Sequence, residues 1–423
     1  MKCIDLKFKP DRTDFVVEFS FQPARGVSAV KAAEQIAAES SIGTWTDLTT
    51  LTPVIAKKLK PTIFDFNKNS NTIKIAYPKD LFEKGSIPQL MSSIGGNVFG
   101  MKILKSLRLQ DINFPDYYVH SFKGPRYGIP GLRRIMRVRK RPFVGTIVKP
   151  KLGLNEKEHA NVAFNAWLGG CDFVKDDENL TSMTFNKFRK RVLLTEKARM
   201  KAEKITGEKK AYLPNITAES KEMLSRLKFV ENNNGNYVMV DVLTTGWSAL
   251  QTLRNESSLP IHAHRAGHAG FTRNPNHGIS MLVIAKLCRL IGVDTLHIGT
   301  AALGKMSDSL DDVLNIEHEI EKKLIRENFA GHVLEEDWLN KKPVLAVASG
   351  GLYPGLIPGV VDKMGYNVLM QFGGGIHGHS SGTIAGSKAV RQALNAVLKG
   401  KTLRQQARKH SELKQALKQW GTK

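Results

Sequence analysis

The sequence predicts an α/β protein in which a C-terminal (β/α)8 TIM barrel follows a smaller α+β N-terminal domain. Three observations predict it. From about Phe143 onward, eight short apolar stretches alternate with helical ones, the pattern of a parallel barrel. Polar and glycine-rich runs fall directly after those stretches, at the face where barrels bind ligands. The 423 residues, 41% of them hydrophobic, exceed the ~250 that such a barrel needs and leave room for one smaller domain.

In the N-terminal part, Asp14 to Phe21 alternates as a strand, and Ser28 to Ala38 carries apolar residues (Val30, Ala33, Ile36, Ala37) at helical spacing. The helix runs into Glu39-Ser40-Ser41-Ile42-Gly43-Thr44-Trp45-Thr46. A strand at Thr72 to Tyr77 and a helix from Ile87 lead to Gly95-Gly96-Asn97-Val98-Phe99-Gly100, a glycine-rich turn in which Asn97 tolerates left-handed geometry. The first domain is placed at 1–123, a Pro/Gly-punctuated linker at 124–142, and the barrel with its C-terminal helices at 143–423.

The barrel strands are expected at Val144 to Val148, Asp172 to Lys175, Ala211 to Ile216, Tyr237 to Val242, Pro260 to His264, Thr295 to Ile298, Val344 to Ala348 and Asn367 to Gln371. Between them the helical stretches include Glu156 to Leu168, Asn186 to Ile205, Glu219 to Phe229, Gly278 to Leu290 and Leu310 to Arg326. Two strand ends carry the most chemistry: Val148-Lys149-Pro150-Lys151-Leu152-Gly153-Leu154 and Phe173-Val174-Lys175-Asp176-Asp177-Glu178-Asn179. Asp177 and Glu178 offer the carboxylate oxygens that Mg²⁺ prefers. A protonated Lys175 would repel a metal, whereas an amine that captured CO₂ would become a carbamate, a third anionic oxygen ligand. On its own, the string also reads as lysine pairing with its acidic neighbours.

After the fifth strand, His262-Ala263-His264-Arg265-Ala266-Gly267-His268 brings histidines together. Such spacing suits zinc, but Arg265 in their midst and the hard-metal set elsewhere argue against it. His297 to Met306 puts Lys305 in a small-residue loop after strand six. Ser349-Gly350-Gly351 and Gln371-Phe372-Gly373-Gly374-Gly375 follow strands seven and eight, where barrel phosphate sites recur.

Composition narrows the rest. Three cysteines (Cys3, Cys171, Cys288) in so long a chain make no disulfide framework and point to a reducing, cytoplasmic setting. No apolar run reaches the ~20 residues of a membrane span, and the N-terminus lacks a signal-peptide pattern. The net charge of +24 suits either a polyanionic small substrate or nucleic acid. Arg133, Arg134, Arg137, Arg139, Lys140 and Arg141 crowd one stretch, but no nucleic-acid-binding module accompanies them.

Gly169-Gly170-Cys171-Asp172-Phe173-Val174-Lys175-Asp176-Asp177-Glu178-Asn179 resembles the activation-site signature of ribulose-1,5-bisphosphate carboxylase/oxygenase (RuBisCO) large chains. Gly145 to Leu154 resembles the segment with that family's first catalytic lysine, and the likeness spans nearly the whole chain. It implies Mg²⁺ on carbamylated Lys175, Asp177 and Glu178. It also implies Lys149, His264 and Lys305 in catalysis, and Glu39 and Asn97 reaching the partner subunit's site in a homodimer. Thr44, Trp45, Lys151, Arg265, His297, Ser349, Gly351, Gly373 and Gly374 are the implied substrate-binding positions. The implied reaction is carboxylation of ribulose 1,5-bisphosphate by CO₂ to 3-phosphoglycerate, with O₂ competing. The short C-terminal region, Ile147 and the His297 to Lys305 spacing resemble the archaeal-type form III or form II/III branch, which implies no small subunit and a role in AMP or nucleoside ribose salvage. Two alternatives stand beside it: a RuBisCO-like enolase or isomerase on a related phosphorylated sugar, and a basic nucleic-acid-binding protein without catalysis.

Overall fold

The computed structural model describes residues 2–44, 46, 48–305 and 309–422. It divides into two compact units: residues 1–123 with 267–290 and 322–341, and residues 124–266 with 291–321 and 342–423.

The first unit is built on a five-stranded sheet in the order Gly278–Ile279, Leu104–Asn113, Phe15–Pro23, Thr72–Tyr77, Thr62–Asn67. Phe15–Pro23 sits at its centre, antiparallel to both neighbours, and its alternate residues Phe15, Val17, Phe19 and Phe21 are buried, as the period of two requires. Helix Ala29–Glu39 begins at Ser28, whose hydroxyl accepts from Lys31 N, and buries Ala32, Ala33, Ile36 and Ala37. Val30, expected on that apolar face, is instead 40% exposed, because the buried stripe starts two residues later.

Residues 267–290 and 322–341, expected within the barrel domain, group with this unit because their polar groups are spent on strand Leu104–Asn113. Gly278–Ile279 pairs with Arg108 and Leu109. Inside helix Met281–Ile291, buried Lys286 places Nζ 3.0 Å from Asp111 Oδ1 and 3.2 Å from Glu336 Oε2. Removing one partner from such a buried set strands the remaining charges. Lys286→Met is therefore expected to lower unfolding stability by about 3–5 kcal/mol in denaturant titrations, and a change within about 0.5 kcal/mol would show that the cluster carries no weight.

The second unit holds eight parallel strands: Phe143–Ile147, Phe173–Lys175, Ala211–Leu213, Val238–Asp241, Ile261–His264, Thr295–His297, Leu345–Ser349 and Val368–Phe372. Each pairs with its sequence neighbour, and the eighth pairs with the first. The third and fourth join through a parallel bridge between Asn215 and Met239, with Ile216 N donating to Met239 O (3.0 Å), so the sheet closes into a barrel. Phe143, Phe173, Leu213, Tyr237, Met239, Leu345, Val347 and Leu369 fill its interior.

The stretch 124–142, expected as a linker, carries helix Gly128–Met136. Its Ile129, Leu132 and Met136 pack into the same core cluster as Phe143 and Leu369, so it plugs one end of the barrel. Outside the barrel, helix Gly382–Leu398 packs against Glu156–Leu168 and Ser411–Trp420. Gly169 is needed at the first of these contacts: a Cβ there would lie 2.4 Å from Ser387 Cβ.

Candidate active site

Lys175 ends the second barrel strand, two residues after the core residue Phe173, and so points into the barrel. It is 1% exposed. Its Nζ donates to Asp176 O (2.9 Å), touches Met239 Sδ (3.5 Å) and reaches Glu178 Oε2 only at 3.4 Å. Lysine is almost never enclosed to this degree without close pairing.

Asp177 accepts from Lys149 Nζ (2.7 Å) and from Asn179 N and Nδ2 (3.2 and 3.0 Å). Burial pushes its pKa up, but the Lys149 and Asn179 hydrogen bonds prevail and hold it below the usual carboxylate range. Glu178 behaves alike: burial raises it, and the charges of Lys175 and His264 bring it down below its ordinary value. Both are therefore anionic oxygen donors at neutral pH. Among the described residues no group of three His, Cys, Asp or Glu side chains is arranged to hold a metal ion. An oxygen supplied at Lys175 would add a third anionic ligand to Asp177 and Glu178, and with that change the residues fit Mg²⁺.

Asp176, between these groups in sequence, serves the scaffold. It is fully buried and accepts from Arg191 Nε (3.0 Å), Tyr212 Oη (2.7 Å) and Asn215 N (3.0 Å). Burial opposes its charge, yet Arg191, His159 (Nε2 3.0 Å from Oδ1) and the Asn215 amide hold its pKa well below that of a free aspartate. Since the folded value lies below the unfolded one, near 4, the stabilisation is complete above that pH and is lost as pH falls further. Melting temperature is expected to drop on going from pH 5 to pH 3, by less in Asp176→Asn than in wild type; parallel profiles for the two proteins would contradict this.

His264, ending strand five, turns Nδ1 to Asp241 Oδ1 (2.7 Å) at the end of strand four and Nε2 toward Glu178 Oε2 (3.6 Å). Asp241 had only one signal in the sequence, an acid closing a strand. The three histidines of this run do not converge. His262 faces Thr295 and His297 inside the barrel, while His268 bonds Thr272 (3.0 Å). His297 Nδ1 lies 2.7 Å from Ser349 Oγ and its Nε2 2.9 Å from His262 Nε2. His297 thus stands beside Ser349 at the end of its strand, with both ring nitrogens hydrogen-bonded within the protein.

Around the mouth, Lys305 N donates to Gly350 O (2.8 Å). Its side chain lies over Gly351, whose φ is +85° and where a Cβ would stand 2.8 Å from Lys305 Cγ. Gly373 caps the short helix Gly374–His377 beside the Lys149 stem, Cε standing 3.4 Å from where its Cβ would be. Thr146 Oγ1 donates to Phe372 O (2.6 Å), tying strands one and eight beneath Lys149. Arg265 is buried and Lys151 exposed. In the first unit, Glu39 ends its helix half-buried, Thr44 is half-buried, and Asn97 is exposed at the start of the turn Asn97–Gly100, which packs against helix Ala29–Glu39. Trp45 and Met306 lie outside the described residues.

A closed parallel barrel that gathers carboxylates, lysines and histidines at the C-terminal ends of its strands defines an enzyme of the (β/α)8 class with a site for anions. Residues 128–420 match the family described as ribulose bisphosphate carboxylase large chain, catalytic domain, and residues 2–118 match its N-terminal domain. The chain belongs to the RuBisCO large-chain family. It is 50% identical to the ribulose bisphosphate carboxylase of Methanosarcina mazei, covering 99% of this chain and 98% of that one. It is 46% identical to that of Methanocaldococcus jannaschii, covering 99% and 100%. Among solved structures, the dimeric archaeal Rubisco from Hyperthermus butylicus superposes with a TM-score of 0.92 at 44% identity, covering 99% of this chain and 98% of that one. The octameric enzyme from Pyrococcus horikoshii does so with a TM-score of 0.90 at 44% identity, covering 99% and 97%.

Proposed function

We propose that the chain catalyses the Mg²⁺-dependent carboxylation of ribulose 1,5-bisphosphate to two molecules of 3-phosphoglycerate, with O₂ competing for the same intermediate. The observation that carries this reading is Lys175, enclosed in the barrel between Glu178 and Met239 with Asp177 following. An ammonium gains little there, whereas a carbamate formed with activating CO₂ makes the third ligand beside Asp177 and Glu178. When bound, Mg²⁺ supplies the positive charge that favours loss of the proton next to the sugar ketone and balances the charge left behind.

The chain's own residues do the remaining work. Lys149 holds and moves a proton at the reacting carbons, poised by its contact with Asp177. His264, oriented by Asp241, meets the substrate hydroxyls. Lys305 faces the new carboxylate. Arg265, Ser349, Gly351, Gly373 and Gly374 bind phosphate from the barrel, and Lys151, Thr44 and Trp45 complete the anion contacts. His297 joins them from the end of strand six, beside Ser349. Glu39 and Asn97 complete the partner's site in a homodimer, the dimeric and octameric states of the archaeal structures supporting an assembly built from dimers without small subunits. No helix among the described residues is long and apolar enough to cross a membrane, in keeping with a cytoplasmic enzyme. The archaeal relatives support a role in AMP or nucleoside ribose salvage.

The test is product analysis with purified protein, ribulose 1,5-bisphosphate, Mg²⁺ and labelled bicarbonate. Labelled 3-phosphoglycerate is expected. Consumption of the sugar to an unlabelled isomer would favour the enolase or isomerase alternative.

A further inference from the structure

A run of hydrogen bonds crosses the barrel interior from Tyr237 to the mouth. Tyr237 Oη donates to Thr295 Oγ1 (3.4 Å); Thr295 Oγ1 meets His262 Nδ1 (2.8 Å), His262 Nε2 meets His297 Nε2 (2.9 Å), and His297 Nδ1 meets Ser349 Oγ (2.7 Å). Tyr237, Thr295, His262 and His297 are buried; Ser349 is partly exposed.

Counting donors fixes the direction. One proton only fits between two Nε2 atoms 2.9 Å apart. Suppose it belonged to His297. Its Nδ1 would then take the Ser349 proton, and His262 Nδ1–H would donate to Thr295. Thr295 Oγ1 would accept from both Tyr237 and His262, and its own hydrogen would be buried unspent. That orphan donor disfavours this arrangement by about tenfold or more. In the opposite direction every buried donor is used: Tyr237 to Thr295, Thr295 to His262 Nδ1, His262 Nε2–H to His297, and His297 Nδ1–H to Ser349. The one donor left over is the Ser349 hydroxyl, at the mouth. Burial keeps both imidazoles well below their usual pKa, so both are neutral as the run requires.

We infer that His262 is a positioning residue: through the single proton it shares with His297 it sets that ring's tautomer, making His297 a donor to Ser349 and the Ser349 hydroxyl a donor to an oxygen of the substrate. The last step rests on the reading of the site as one for a bisphosphate.

Neutron diffraction from deuterated crystals locates the shared protons independently of activity. In the wild type, deuterons are expected on His262 Nε2 and His297 Nδ1. Thr295→Val removes the donor to His262 Nδ1 and should leave both tautomers populated, with KM for ribulose 1,5-bisphosphate raised about tenfold and kcat changed less; Thr295→Ser should restore all three. A deuteron on His297 Nε2 in the wild type, or the wild-type pattern persisting in Thr295→Val, overturns the inference. Should the protein fix no CO₂, the deuteron positions would still decide the matter of the tautomers.

Discussion

Lys175→Ala is expected to reduce CO₂ fixation by more than about a thousandfold while leaving the fold intact. The wild-type side chain spends its ammonium on a carbonyl, a thioether and one long carboxylate contact, so truncation forfeits little pairing. It does empty a buried position, for which about 2–3 kcal/mol of stability is a fair allowance. What disappears is the buried amine proposed to become the third anionic ligand beside Asp177 and Glu178. The variant should therefore also lose the bicarbonate dependence of Mg²⁺ affinity, measured by calorimetry with and without bicarbonate. Retained fixation, or bicarbonate-dependent metal binding in the variant, would mean that Lys175 is a structural ion-pair residue.

Lys305→Ala should separate the two halves of the reaction. A cation that meets the carboxylate only after CO₂ adds is worth about 10²–10³ in rate, whereas removal of the substrate proton does not call on it. Fixation should fall by that factor while solvent exchange of the abstracted proton continues near the wild-type rate. Gly351→Ala should show a weaker form of the same split, since its Cβ would displace the Lys305 stem and φ of +85° is strained for alanine by about 1–2 kcal/mol. Equal losses of exchange and fixation in Lys305→Ala would place that lysine in proton abstraction instead.

Much of this was legible because barrel strands are local. Helix Glu156–Leu168 and the end of strand two at Lys175 fall where periodicity and the polar run put them, since each is decided within a few residues. Gly128 and Pro130 misled, being read as linker punctuation. A proline in the first helical turn loses no intrahelical bond, and here it sits inside the helix that plugs the barrel. Lys286 and Arg289 interrupt the apolar run of Met281–Ile291 and would ordinarily mark a solvent face, yet both are buried, the lysine because a carboxylate 175 residues earlier, Asp111, receives it, and the arginine because the carbonyls of Lys322 and Lys341 do. Alternation shows that His262 and Thr295 share the barrel interior; it does not reveal that His262 takes the second nitrogen of His297. Partners across strands depend on register, and register belongs to the closed sheet.

The central claim is that buried Lys175 becomes a carbamate. The most direct test is a ¹³C NMR difference spectrum of the protein equilibrated with ¹³C-bicarbonate and Mg²⁺, recorded beside Lys175→Ala. A carbamate carbon resonance present in the wild type and absent from the variant is the predicted result. A wild type without that resonance, yet active with ribulose 1,5-bisphosphate, would contradict the account of the site.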